Sequence, residues 1–375
     1  MSRLDSAQDE RIILDMIAND ITNRILLLHR SLLVAALFLV LPGHSVKAQD
    51  TAPSAASNFF LDRPDSNKYG VILAGPAVGD TNRSRFRQWA LSLYDILARD
   101  YGYDSDTITL LYDRGEIDGP GGERVDAACD REGIEQQFAA LKSRVKIGDQ
   151  IILFLIGHGS GAEEEAKFNI VGPDLTGGEF AELLNQFEQQ DMVIVNTTSA
   201  SYGFSAALSS EGRVVISSTR SSSEKYDPIF SRYFIEALDS RNGDRDKNNR
   251  VSMLEAFNYA RNSVAQWYEE QGRLAAEHAG LDDNGDSLFS LNPTVEEADG
   301  RLAEIAFIDT LIDSNAGLSE AAVRLKSRMQ QIERSVFILR GRKADFLEAD
   351  YWQQMEELLV DLARTTGRFN EQVEQ

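Results

Sequence analysis

The sequence predicts an α/β fold with a mostly parallel sheet, followed by a C-terminal helical hairpin. From Tyr69 onward, short apolar runs rich in β-branched residues alternate with amphipathic stretches, and a strand-free region with helical periodicity follows Pro293. Strands that are buried on both faces are apolar on consecutive residues. Repeated strand–helix–strand units imply right-handed crossovers and helices covering a parallel sheet.

The predicted strands are the five apolar runs at 69–75, 107–112, 150–156, 192–196 and 213–218. The predicted helices lie between these runs and after the last one, at 84–101, 132–145, 178–188, 201–209 and 228–238. Together they predict one domain over 68–292. Side chains that follow the strands meet at the carboxyl edge of such a sheet, where α/β proteins place their binding sites.

The hairpin or coiled coil is predicted over 300–375. Its first helix carries an apolar residue every four and three positions in turn, a heptad seam, at Leu318, Ala322, Leu325, Met329, Ile332, Val336 and Leu339. A second amphipathic run contains Trp352, Met355, Leu359 and Leu362. Two interpretations stay open: the seam packs within the chain, or it mediates self-association through 318–339.

Residues 1–48 are predicted to be a signal peptide. The apolar run at 31–41 is shorter than the roughly 20 residues that a membrane-spanning helix needs, and Val46 and Ala48 are small residues that suit cleavage after Ala48. The acidic residues before Met16 are unlike a signal peptide, so Met16 is the predicted start. Residues 49–67 are a predicted linker. We therefore expect a periplasmic or secreted protein without a membrane span after cleavage, or a membrane-anchored one if the leader stays.

Charge and cysteine content exclude two classes of function. Lys and Arg total 38 against 60 Asp and Glu, a formal charge of −22, so no nucleic-acid partner is expected. Cys129 is the single cysteine, which rules out an intramolecular disulfide and a cysteine-rich zinc site. A bound metal would therefore have oxygen ligands.

Two neighbouring strand ends carry the candidate chemistry. His158 lies between Gly157 and Gly159 after the third strand, and a run of small hydroxyl residues that includes Ser199 follows the fourth. Glycines on both sides let a substrate backbone approach the imidazole closely. A base and a hydroxyl are thus predicted at one edge of the sheet.

The order of these elements, with Gly-His-Gly-Ser after the third strand, resembles the legumain and caspase-like cysteine peptidases over about 68–291. The resemblance implies a caspase-like three-layer fold, a catalytic His158, the backbone N–H of Gly159 as oxyanion donor and Arg85 as a substrate-binding residue. The position of the family's cysteine falls on Ser199. The alternatives in register are Thr197, Thr198 and Ser201. Cys129 precedes the helix before the third strand and is no substitute.

A serine at the cysteine position predicts weak or absent proteolysis. A hydroxyl needs a base on its proton, whereas a thiol ionises readily. The expected function is therefore that of an exported peptidase homologue that binds a peptide or protein at a degenerate His158/Ser199 site. Two alternatives stay open: an active peptidase or transpeptidase that uses both residues, and a calcium-stabilised scaffold without catalysis.

An acidic loop matches the spacing of a calcium-binding loop at positions 1, 3, 5, 9 and 12. The side chains are Asp244, Asp246, Asn248, Ser252 and Glu255, with the carbonyl of Arg250 at position 7. Position 6 is Asn249 instead of glycine, and asparagine tolerates a left-handed backbone. Ser252 and Glu255 are also spaced as a helix capping box, which requires no ion. Ca²⁺ is the predicted cofactor, with this ion-free interpretation beside it.

Overall fold

The computed structural model describes residues 59–63, 66–310, 315 and 317–373. All of them belong to the compact unit Pro53–Gln375. The predicted signal peptide, its start at Met16, its cleavage after Ala48 and most of the predicted linker lie outside the described residues. In the described part of the chain, no helix has the length and apolar character that crossing a membrane requires.

Six strands form the main sheet, namely β1 (Lys68–Ala74), β2 (Ile108–Tyr112), β3 (Gln150–Ile156), β7 (Asp191–Asn196), β8 (Arg213–Ser217) and β9 (Gly280–Asp282). Their order across the sheet is β2-β1-β3-β7-β8-β9. All neighbours are parallel except β8 and β9. The prediction of an α/β fold with a mostly parallel sheet is therefore confirmed, and the five predicted strands are the five parallel ones.

A small antiparallel sheet follows β3 and consists of β4 (Gly159–Ser160), β5 (Lys167–Phe168) and β6 (Leu175–Thr176). These two-residue strands and β9 were not predicted, because apolar periodicity cannot be detected over two or three residues.

Nine helices are described below. They are α1 (Asp80–Asp100), α2 (Arg131–Arg144), α3 (Gly177–Leu184), α4 (Ser201–Ala206), α5 (Phe230–Leu238), α6 (Met253–Glu270), α7 (Arg301–Ile305), α8 (Glu320–Gly341) and α9 (Glu348–Val373).

The main sheet separates two hydrophobic cores, because successive strand residues point to opposite faces. Ile72 and Phe154 pack with side chains of α1, α5 and α6 on one face. Val71 and Leu153 pack with side chains of α2, α3 and α4 on the other. The body of the protein therefore has three layers. The loops that follow the strands lie at the edge of the sheet, between the two helical layers.

The helices α8 and α9 form the predicted hairpin. Five of the seven seam residues are buried, and they pack against Tyr351, Met355 and Phe369 of α9. Arg334 and Arg340 also join α8 to the α/β body, by hydrogen bonds to Phe59 O and to the Glu304 carboxylate. The contacts thus favour packing within the chain over self-association through 318–339.

The face of α9 that packs differs from the predicted one. Trp352 and Leu359, which the sequence pattern placed on the apolar face, are 45% and 43% exposed, whereas Tyr351 and Phe369 are buried. The packed residues, namely the buried Tyr351, Met355 and Phe369 and the partly buried Leu362, have spacings of four and seven, so they lie along one side of the helix.

Candidate functional site

The parallel pairing of β3 with β7 brings the two predicted strand ends together. Leu155 is in register with Asn196, so the residues that follow both strands lie side by side. The hydroxyl of Ser199 lies 3.2 Å from both the backbone N and the backbone O of Gly159. The predicted pair of His158 and Ser199 is therefore located at one edge of the sheet.

The imidazole of His158 hydrogen bonds to groups other than Ser199. Its Nδ1 lies 2.8 Å from Oδ1 of Asp227, and its Nε2 accepts a hydrogen bond of 3.2 Å from the backbone N–H of Val78. The ring of Phe86 packs edge-on at 5.1 Å between centroids. These partners define the tautomer: Nδ1 carries the proton that Asp227 accepts, and the Nε2 lone pair is engaged by the loop after β1.

Asp227 is the centre of a small polar group above the imidazole. Asn82 donates a hydrogen bond of 2.9 Å to its second carboxylate oxygen. The hydrogen bond from His158, which outweighs partial burial, and the charge of Arg85 lower the pKa of Asp227. Arg85, the predicted substrate-binding residue, is exposed on the first turns of α1 and belongs to this edge.

Ser199 has no base on its proton. Its hydroxyl donates to the Gly159 carbonyl and accepts from the Gly159 N–H, the predicted oxyanion donor. A nucleophilic hydroxyl requires a base within hydrogen-bond reach of its proton. In this arrangement the Ser199 hydroxyl accepts the hydrogen bond of the predicted oxyanion donor, the Gly159 N–H. His158 is hydrogen bonded to Asp227 and Val78 instead of Ser199.

The alternatives in register are less accessible than Ser199. Thr197 donates to the carbonyl of Leu155, and the Thr198 hydroxyl donates to Asn196. Ser201 is fully buried and shares hydrogen bonds with the hydroxyls of three residues at the end of β8 and just beyond it, which are Ser217, Ser218 and Thr219. These hydroxyls hold the two strand ends together, and Ser199 is the hydroxyl residue that contacts the backbone of Gly159, next to His158.

Cys129 lies in the core on the α2 face of the sheet. The thiol is fully buried, and burial raises its pKa. A raised thiol pKa disfavours the thiolate that nucleophilic attack requires. Its location agrees with its exclusion as a substitute nucleophile.

Asp227 is the site residue that sequence reasoning missed. It lies in the long loop after β8, ten residues beyond the end of that strand at Ser217. The signal was present, because carboxylates after a parallel strand are expected at the same edge as His158. The sequence predicts chemistry at the ends of the third and fourth strands, whereas the structure adds the loop after the fifth strand to the same edge.

The predicted calcium loop brings part of its ligand set together. Carboxylate oxygens of Asp244, Asp246 and Glu255 lie within 4.8 Å of one another. Burial, together with the charges of Glu255 and Asp244, raises the pKa of Asp246 to about 7. Asn249 adopts φ +63°, the left-handed conformation expected at position 6. Converging carboxylates of this kind suit a hard divalent cation.

The same loop also forms the alternative capping box. The Ser252 hydroxyl accepts from Glu255 N, and the Glu255 carboxylate accepts from Ser252 N and Ser252 Oγ. Asn248 is buried and bridges Asp246 and Glu333 of α8. The oxygen donors of this loop suit Ca²⁺ in chemistry, and Asp244 and Asp246 are the carboxylates that would hold such an ion. Glu255 and Ser252 would have to exchange their present partners for the ion.

The Arg250 side chain points away from the loop. It forms buried ion pairs with Asp62 at 2.9 Å and with Asp309 at 2.7 Å, and it lies over the ring of Phe307 at 3.7 Å. Although burial opposes the shift, Lys68 and Arg250 lower the pKa of Asp62 to about 2. Arg250 therefore connects the acidic loop to the segment before β1. The sequence predicted only that its backbone carbonyl is a calcium ligand, and not this role of the side chain.

Comparisons with known proteins add no family. No family model and no curated protein matches the chain. Among solved structures, protein GSU0716 from Geobacter sulfurreducens is similar with a TM-score of 0.38 and 9% identity, covering 60% of this chain and 97% of that one. The function is therefore argued from the geometry of the site.

Proposed function

We propose that the protein is an exported homologue of the legumain and caspase-like peptidases that binds an extended peptide at the His158/Ser199 edge without efficient hydrolysis. One observation carries the proposal. Ser199 hydrogen bonds to Gly159, and His158 hydrogen bonds to Asp227 and Val78, so the hydroxyl and the imidazole are adjacent but not coupled.

The arrangement of elements supports the resemblance. The resemblance places a histidine after the third parallel strand and the nucleophile after the fourth, and these two strands, β3 and β7, are neighbours in the sheet. The glycine next to the histidine fits closely, since a Cβ on Gly159 would lie 2.6 Å from Ala200 N. Such packing keeps the Gly159 backbone against the Ser199 loop.

Exposed apolar side chains beside the imidazole support a peptide ligand. Val78, whose N–H contacts His158, is 78% exposed, and Tyr226, next to Asp227, is 76% exposed. Exposed apolar side chains beside a polar site are candidate contacts for a ligand. Gly159 also belongs to β4, an edge strand of the small sheet, and edge strands can pair with extended peptides.

The proposal is tested by measuring the affinity of a fluorescent hexapeptide library by anisotropy. We expect peptides with an apolar residue to bind, and Tyr226→Ser to weaken them about tenfold or more, since burying one large apolar side chain is worth about 1.5–3 kcal/mol. Leu347→Ser is the matched control, because Leu347 is equally exposed at 76% and lies between α8 and α9. Equal losses in both variants, or no binding at all, would overturn the proposal.

A second candidate function is hydrolysis or transpeptidation by Ser199. The observation in its favour is the His158–Asp227 pair, which reproduces the acid–histidine half of a serine-hydrolase triad. It requires the imidazole to release Val78 and turn toward Ser199. The two functions are separated by the turnover measurement that closes the Discussion.

A further inference from the structure

The loop at 218–229, between β8 and α5, carries Asp227 to His158. It spans twelve residues without a regular strand or α-helix, and Tyr226 within it is exposed. A loop of this kind holds a side chain such as that of Asp227 in one place only when other contacts fix the loop backbone. Ser218 and Thr219 hold the start of the loop to the strand ends. Beyond them two buried carboxylates fix the loop, and both belong to, or contact, the segment just before β9.

Glu224 fixes the first half of the loop. It is buried, with 8% exposure, and its Oε2 accepts 3.0 Å hydrogen bonds from the backbone N–H groups of Arg220 and His278. Its Oε1 lies 2.5 Å from His278 Nδ1 and 3.2 Å from Arg220 Nε. One carboxylate thus joins the start of the loop to the segment before β9 through four contacts.

Glu277 fixes the second half. Its buried carboxylate accepts hydrogen bonds of 2.9 and 3.0 Å from the N–H groups of Ile229 and Phe230, at the start of α5. Tyr268 adds a third donor at 3.2 Å. Asp227 lies between the two fixed points, three residues after Glu224 and two before Ile229.

We infer that Glu224, together with His278, is a positioning residue that holds Asp227 on Nδ1 of His158. This inference concerns the same site as the proposed function. It rests on that function only for the role of the imidazole when a peptide is bound. Charge-assisted hydrogen bonds to a buried carboxylate are strong and directional. When Glu224 is lost, the loop keeps its hydrogen bonds at Ser218 and Thr219 and the exposed Ser222–Glu163 contact, but it loses its buried anchor between Thr219 and Ile229. Asp227 then keeps its contacts with His158 and Asn82.

The test is ¹⁵N NMR of histidine-labelled protein, read at the Nδ1–H of His158. The chain has four histidines, and His158→Gln and His278→Gln assign the resonances at issue. Asp227→Asn is the reference that removes the carboxylate from Nδ1. We expect the wild type to show a slowly exchanging Nδ1–H, and Glu224→Gln to exchange it at least about tenfold faster, approaching Asp227→Asn.

Glu236→Gln is the matched control. Glu236 is a hydrogen-bonded carboxylate on α5 that accepts from Tyr259 and lies seven residues beyond the end of the loop. His278→Gln removes one side of the Glu224 contact and keeps Arg220, so it tests the inference if Glu224→Gln fails to fold. An unchanged Nδ1–H in both loop variants, or its absence from the wild type, would overturn the inference. No peptide is used, so a failure of peptide binding is a separate result.

Discussion

At the scale of single residues, hydrogen-bond partners decide what the strand ends can do. Ser199 and His158 are neighbours, yet the hydroxyl is paired with Gly159 and the imidazole with Asp227 and Val78. A bound peptide that replaced the Ser199 hydroxyl on Gly159 would gain two backbone hydrogen bonds. The same pairing withholds the base that a serine nucleophile needs.

Loss of Arg250 should destabilise the fold strongly. Arg250→Ala removes the cation that the buried Asp309 shares with Asp62, which keeps its ion pair with Lys68, and removing one partner of a buried ion pair costs about 3–5 kcal/mol. Urea denaturation measures the free energy of unfolding. Arg324→Ala is the control, because its ion pair with Glu320 is exposed and such pairs contribute about 0.3–0.5 kcal/mol. Similar losses in both variants would contradict this account of Arg250.

Sequence reasoning located residues but not their partners. The positions of His158 and Ser199 followed from strand ends, because parallel strands align their carboxyl edges. The contact of His158 with Asp227 spans 69 residues, and that of Arg250 with Asp62 spans 188. Neither is encoded in local periodicity or in a short motif, since each depends on how loops fold over the sheet edge.

At the scale of elements, the strands and the hairpin were predictable because their apolar patterns are long. The packed face of α9 was predicted wrongly, because the apolar pattern of this helix does not define a single face. Its apolar residues occur on more than one face, so a choice between Trp352 and Tyr351 depends on the angle at which α9 meets α8. The structure selects Tyr351, which is 1% exposed.

The acidic loop before α6 yields a prediction at this scale. Calorimetric titration of the protein with CaCl₂ should give saturable heat. The expected dissociation constant is about 10⁻⁴–10⁻³ M, the range of extracellular calcium modules. Asp244→Asn combined with Asp246→Asn should abolish the heat. Asp286→Asn, in a different exposed acidic turn, should keep it. A wild type without heat would leave the capping box as the loop's role.

At the scale of the whole molecule, buried acids should make stability depend on pH. Burial raises the pKa of Asp191 to about 6, and that of Glu277 and Asp299 to about 7. The folded protein therefore binds more protons than the unfolded chain, whose carboxyls ionise near pH 4. The free energy of unfolding should consequently be highest at acidic pH and fall as the pH rises through 6 to 7.

Urea denaturation at pH 5 and pH 8 measures this dependence. We expect a decrease of at least about 1 kcal/mol at pH 8, the equivalent of roughly one pKa unit. Asp191→Asn should reduce the decrease, because an amide oxygen can still accept from Phe60 N but does not titrate. Asp350→Asn, on the exposed first turn of α9, is the control. Stability that rises between the two pH values would refute the prediction.

The central claim, a peptide site with an uncoupled serine, is tested most directly by peptide turnover. The measurement compares hydrolysis of a fluorogenic peptide library, in calcium, by the wild type, Ser199→Ala and Ser199→Cys. We predict no turnover by the wild type or Ser199→Ala, and turnover by Ser199→Cys, because a thiol ionises without a base on its proton. Wild-type turnover that disappears in Ser199→Ala would contradict the claim and establish a serine hydrolase.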